Sequence, residues 1–126
     1  MTEQFELVLD EECLVVVPML DLRETVFDGL CEETSRILDE LGKMVSPNVV
    51  VDFHRTQEFG STAIGYFVTL WKRISERNGH LAFCNLSPFE LDILRVTKLD
   101  QLWSICKDRA YAIHRVRELS APHESR

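Results

Sequence analysis

The chain has 126 residues, 45% of them apolar and 28% charged, with a formal net charge of −7. That length suits one compact domain with one core, and the balance is that of a folded chain rather than a disordered one. The acidity, with no basic cluster carrying interleaved aromatics, disfavours DNA or RNA as a partner, because phosphate backbones repel it.

The first residues, Met1 through Glu6, lack the positive start and apolar run of a signal peptide. No apolar stretch approaches the roughly 20 residues that a membrane helix needs. A cytoplasmic chain is expected, reaching a membrane only through a partner. Cys13, Cys31, Cys84 and Cys106 match no zinc spacing and form no C-x-x-C pair. They are expected to be reduced, buried and apolar in role.

In chain order, residues 5–9 alternate as a strand, residues 10–12 form a polar turn, and residues 13–17 are a β-branched run closed by Pro18. The two strands read as an antiparallel pair. Residues 25–41 carry a helical pattern. Val26, Leu30, Ile37 and Leu41 share its apolar face, Phe27, Cys31 and Leu38 widen it, and Gly42 stands at the C-terminal cap. Glu32, Glu33, Arg36, Asp39 and Glu40 make the solvated face.

Residues 48–53 form a strand whose valine run predicts cover on both sides. A polar segment, residues 54–58, then leads to Phe59, Gly60, Ser61 and Thr62. The helix that follows has Ile64, Phe67, Val68, Trp71 and Ile74 as its core stripe, and Asn78-Gly79 as a left-handed stop. Tyr66 and Leu70 lie off that stripe, either exposed for a partner or packed on the next element.

Residues 80–85 are a further strand. Ser87-Pro88-Phe89-Glu90 is the most specific local signal: serine cap, proline at the first helical position and glutamate closing a capping box. This helix should run to about Thr97, with Leu91, Leu94 and Val96 along it. Residues 102–106 suggest an edge strand. Residues 108–119 suggest a last helix with Ala112, Val116 and Leu119 inward. The expected domain covers residues 1–119, and residues 120–126 form a polar tail. The order β-β-α-β-α-β-α-β-α predicts an α/β fold with a mixed, largely parallel sheet of about five strands and about four helices.

Ser61 and Thr62 stand where a strand-exit loop becomes a helix. The free amides and positive dipole end of a first helical turn favour a phosphate by about 0.3–1 kcal/mol for the dipole alone. A phosphate adds about −1.5 to −2 charge at neutral pH, enough to repel a partner patch fitted to a neutral hydroxyl. The alternative is that Ser61 only caps the helix and Thr62 only occupies its first turn. Phe89 offers a second apolar contact at the same sheet end. Asp52, His54 and Ser61 are residue types of a hydrolase triad, but no G-x-S-x-G elbow accompanies them. His54, His80, His114 and His123 are too scattered for a metal set. No glycine-rich phosphate loop is present, so no nucleotide or other cofactor is expected, and no enzymatic activity.

The residues Val49-Val-Val-Asp52, Gly60-Ser-Thr-Ala-Ile-Gly65, Gly79 through Pro88 and Val96-Thr-Lys-Leu-Asp100 together resemble the STAS domain of anti-sigma factor antagonists. The resemblance covers about residues 5–119 and implies the SpoIIaa-like fold. It places Gly60 at the family's aspartate position, Ser61 at the first hydroxyl, Thr62 at the usual phospho-acceptor and Ala63 at a glycine position. It implies a protein partner, an anti-sigma factor that is itself a serine/threonine kinase of the ATPase fold, bound until Thr62 or Ser61 is phosphorylated. The contact surface it suggests includes Gly60, Ser61, Thr62, Tyr66 and Phe89. Gly60 in place of aspartate also suits a constitutive scaffold in a sensory or transporter complex.

Overall fold

Strands β1 (Phe5–Asp10) and β2 (Cys13–Pro18) form an antiparallel hairpin, with Phe5 opposite Pro18 and Asp10 opposite Cys13. Only Glu11 and Glu12 join them, at φ 50° and 67°, the left-handed pair that a tight two-residue hairpin demands. An L-residue with a Cβ pays about 1 kcal/mol there. Glu12→Gly is therefore expected to stabilise the chain by about 0.5–1 kcal/mol, read as a higher urea midpoint at unchanged slope.

The computed structural model describes residues 5–19, 27–45 and 47–120, without the side chains of residues 27–33, 61 and 62. After the hairpin come α1 (Phe27–Leu41), β3 (Val49–Asp52), α2 (Ser61–Glu76), β4 (Leu81–Cys84), α3 (Pro88–Val96), a single 3-10 turn (Leu99–Gln101), β5 (Ser104–Cys106) and α4 (Arg109–Ser120). The sheet order is β1-β2-β3-β4-β5, parallel from β2 onward. This is the predicted mixed, largely parallel sheet, with β5 at its edge.

Alternation along the strands divides the interior into two layers. Leu14, Val16, Val49, Val51, Leu81 and Phe83 face one way and pack with Ile37 and Leu41 of α1, with Ala63, Phe67, Leu70 and Ile74 of α2, and with Leu94 of α3. Cys13, Val15, Val17, Val50, Ala82, Cys84 and Cys106 face the other way, onto Ala112, Ile113 and Val116 of α4. The valine runs are thus covered on both sides, as their composition implies. The described thiols of Cys13, Cys84 and Cys106 are buried and free. Burial pushes the Cys13 thiol up to about 11 against the pull of Arg117, and burial raises Cys84 and Cys106 as well. Such thiols are unreactive at neutral pH. Cys31, with Val26, Phe27 and Leu30, lies outside the described side chains.

Several boundaries and faces differ from expectation. The buried stripe of α2 is Ala63, Phe67, Leu70 and Ile74, with Ile64, Val68 and Trp71 only half-buried. The small Ala63, outside the expected stripe, is part of the buried face. Gly42 has no positive φ, so α1 does not end on a left-handed glycine. Val96 points to solvent, because of the apolar residues of the short α3 only Leu94 is turned fully into the core. Leu119 is half-buried, and Ile113 takes the inward place instead. Helix α4 continues through Ser120, whose hydroxyl receives a hydrogen bond from Asn48 Nδ2 at 2.9 Å. The rest of the proposed tail, residues 121–126, lies outside the described residues.

Candidate functional site

The parallel strands β3 and β4 end at the same edge of the sheet, so their exit loops are neighbours. Residues 53–60 leave β3 toward α2. The Phe53 N–H still donates to Cys84 O at 3.0 Å, and the Thr56 N–H turns back to Phe53 O at 3.1 Å. Phe59, 3% exposed, plugs the loop into the core against the rings of Phe53 and Phe67.

The loop after β4 opens α3, and here the capping box is formed as read from sequence. Ser87 Oγ accepts from the Glu90 N–H at 3.1 Å, and Glu90 Oε1 accepts from the Ser87 N–H at 3.0 Å. Two further hydrogen bonds tie this turn to the β3 exit loop. Ser87 Oγ donates to Gln57 O, and Thr56 Oγ1 donates to Glu90 Oε2, both at 2.6 Å. Glu90 is fully buried and Thr56 nearly so. Local sequence announces the capping box. Nothing in it announces the reach of Glu90 to Thr56.

Gly60 is the N-cap of α2, extended at φ −105°, with no side-chain cap. Ser61 is therefore the first helical residue and not the cap, and Thr62 is the second; the sequence expectation placed the boundary one residue late. A Cβ at Gly60 meets nothing within 4 Å, so a side chain fits there without strain. Ala63 is 1% exposed, with its methyl in the core. Its extra carbon relative to glycine lies inward, away from solvent. Tyr66 is half-buried, its ring centroid 5.9 Å from that of Phe5 and 5.3 Å from that of Phe67. Leu70 is fully buried, so of its two alternatives packing holds. Phe89, in the first turn of α3, is 55% exposed. The loop contacts thus bring the start of α2 and Phe89 to one end of the sheet.

Asp52 ends β3 on the opposite face, the face that α4 covers. Its Oδ1 accepts from the His54 N–H at 3.0 Å and from Asn85 Nδ2 at 2.9 Å, and lies 3.0 Å from His54 Nδ1. Its Oδ2 accepts from Arg109 Nε at 2.9 Å, and Asp10 stands 3.9 Å from the same guanidinium. Burial works to raise the Asp52 carboxyl, but the hydrogen bonds from Asn85, Arg109 and His54 outweigh it and hold it below the usual range. Of the three triad residue types, Asp52 and His54 are thus in contact. The carboxylate, however, is committed to Arg109 and Asn85 in the α4 layer, whereas the helix carrying Ser61 packs on the other face. Sequence reading missed Asn85 and Arg109 as its partners. Among the described residues no group of three His, Cys, Asp or Glu side chains is placed to hold a metal ion. No described helix is long and apolar enough to cross a membrane.

Known proteins give this geometry its setting. The family model for the STAS domain matches residues 5–112. A STAS-domain anti-sigma-factor antagonist protein of Planctomyces limnophilus superposes with a TM-score of 0.76 at 26% identity, over 90% of this chain and 97% of its own. A Thermotoga maritima protein assigned as an anti-sigma factor antagonist gives 0.76 at 20% identity, over 90% and 94%. The Bacillus cell fate determinant SpoIIAA, in its phosphorylated form, gives 0.65 at 20% identity, over 90% and 99%. No curated protein matches by sequence. With the matched segment running from β1 into α4, the chain belongs to the STAS-domain family.

Proposed function

We propose that this chain is an anti-sigma factor antagonist-like regulatory module. It binds a kinase-type anti-sigma factor, or a related signalling partner of the ATPase fold, through the sheet end where α2 begins. A phosphate on Thr62 or Ser61 ends that binding. The observation that carries the reading is the backbone junction: an extended Gly60 followed at once by Ser61 and Thr62 in the first turn of a 16-residue helix. A phosphate there gains the free amides and the dipole without unfolding the domain. The exposed Phe89, at the same end of the sheet, supplies the apolar contact that a protein partner requires. SpoIIAA, solved in a phosphorylated form, supports the compatibility of this fold with phosphorylation.

The test is to incubate the chain with ATP and a kinase-type anti-sigma factor of its own genome, and to map phosphate by mass spectrometry. Phosphate is expected on Thr62 or Ser61, and Thr62→Glu is expected to weaken binding about tenfold or more, roughly 1.4 kcal/mol. Gly60→Asp should fit the open space, cap α2 for a few tenths of a kcal/mol and speed phosphoryl transfer. Equal partner affinity for wild type, Thr62→Glu and Ser61→Ala/Thr62→Ala, with no phosphate found, would leave a constitutive interaction module instead.

A further inference from the structure

The proposed partner face is built from two segments distant in sequence: the β3 exit loop that delivers Ser61 and Thr62, and the first turn of α3 that carries Phe89. We infer that Thr56 and Glu90 are positioning residues, a buried hydroxyl–carboxylate lock that sets these two segments against each other and thereby sets partner affinity. The inference rests on the reading above for its functional half.

A capping box needs only one oxygen of its glutamate, and glutamate side chains are rarely fully buried. Glu90 departs from this pattern, being fully buried, and burying a carboxylate is costly unless it is well bonded. Its Oε1 closes the capping box, while its Oε2 takes the short Thr56 hydrogen bond. The serine of the same box also reaches back, donating to Gln57 O. Both halves of the capping box are therefore spent on consecutive residues of the β3 exit loop. That loop has no regular secondary structure of its own between β3 and Phe59. The lock and the Phe59 plug fix where Gly60 starts α2 relative to Phe89.

Thr56→Val keeps the β-branched shape and removes the hydroxyl. Glu90→Gln keeps a closed lock, because the amide oxygen accepts from the Ser87 N–H and the amide nitrogen donates to Thr56 Oγ1. In the full chain, Thr56→Val should speed hydrogen exchange of the hydrogen-bonded loop amides of His54 and Thr56 by about tenfold, leaving the sheet amides of Val50, Val51 and Phe83 unchanged. Glu90→Gln should exchange like wild type. With the kinase-type anti-sigma factor that binds wild type, Thr56→Val should lose affinity at least threefold or so, and Glu90→Gln should retain it. Unchanged loop exchange in Thr56→Val, or a rise shared by the sheet, overturns the lock. A loosened loop with wild-type affinity overturns its positioning role. If wild type binds no such factor, the functional proposal falls, and the exchange data still decide whether the lock exists.

Discussion

Arg109→Ala is expected to lower the unfolding free energy by about 2–3 kcal/mol, read as a fall in urea midpoint at constant slope. The cause is what it leaves behind. Asp52 is 2% exposed and ionised, and Arg109 is the one cation within hydrogen-bond reach of its Oδ2 among the described residues. Asn85 and His54 continue to serve Oδ1, which keeps the loss below that of a fully stripped buried charge. Asp52→Asn gives a sharper comparison. With its oxygen kept toward His54 and Asn85, the new amide nitrogen faces Arg109 Nε, donor against donor. Its cost should match that of Arg109→Ala although no volume is removed.

The pH dependence follows with a definite sign. The Asp52 carboxyl is held below its ordinary value of 3.8 in the folded chain. Its contribution is therefore fully present above that value and is lost as pH falls through the lower, folded value. Wild type should lose stability in this acid window more steeply than Arg109→Ala, whose Asp52 lacks one of its charge-stabilising donors. Identical acid slopes in the two proteins would show that Arg109 does not hold this carboxylate down.

What sequence reveals here is what local physics decides. The valine runs and the Ser87-Pro88-Phe89-Glu90 box act over a few residues and are found where expected. The opening hairpin is present too, but Asp10 belongs to β1, so its turn is two residues rather than three. The faces of helices are harder, because they depend on what packs above them. Ala63 is too small to be counted as core, yet it and Leu70 define the buried side of α2, which turns Trp71 outward to half-burial. Residues 102–103 continue an apolar run but not a strand. The Trp103 ring is instead stacked on Phe83, with centroids 4.7 Å apart, and the strand begins after it.

At the site the same division holds. The helix start at Ser61-Thr62 is local and legible to within one residue. The contacts that position it are not. Thr56 finds Glu90 34 residues away, Asp52 finds Asn85 33 away and Arg109 57 away. No spacing rule connects such residues; only the parallel sheet, by stacking the exits of β3 and β4 at one edge and laying α4 across the other face, brings them together.

Gly79→Ala is the second large effect, expected to cost about 1–3 kcal/mol and more if the backbone cannot yield. Helix α2 ends in a Schellman arrangement: the Asn78 N–H donates to Ser75 O and the Gly79 N–H to Ile74 O, both at 3.0 Å. The left-handed residue is Asn78, at φ 63°, and Gly79 has no positive φ. Glycine is required at 79 for space, not for backbone freedom. A Cβ there would stand 2.0 Å from Pro47 O and 2.8 Å from Ile74 Cγ2. Ile74 is a core side chain, and the segment after Pro47 is firmly held. Asn48 donates from Nδ2 to Ser120 and accepts at Oδ1 from the His80 N–H, while its carbonyl receives the Leu14 N–H. Relieving the clash therefore means pulling the start of β3 away from β2, β4 and α4 together. Asn78→Gly is the control, since it relieves a left-handed residue one position earlier and should leave stability unchanged or slightly raised. A Gly79→Ala protein as stable as wild type in urea would show that Pro47 retreats freely, and with it that the entry to β3 is loosely held.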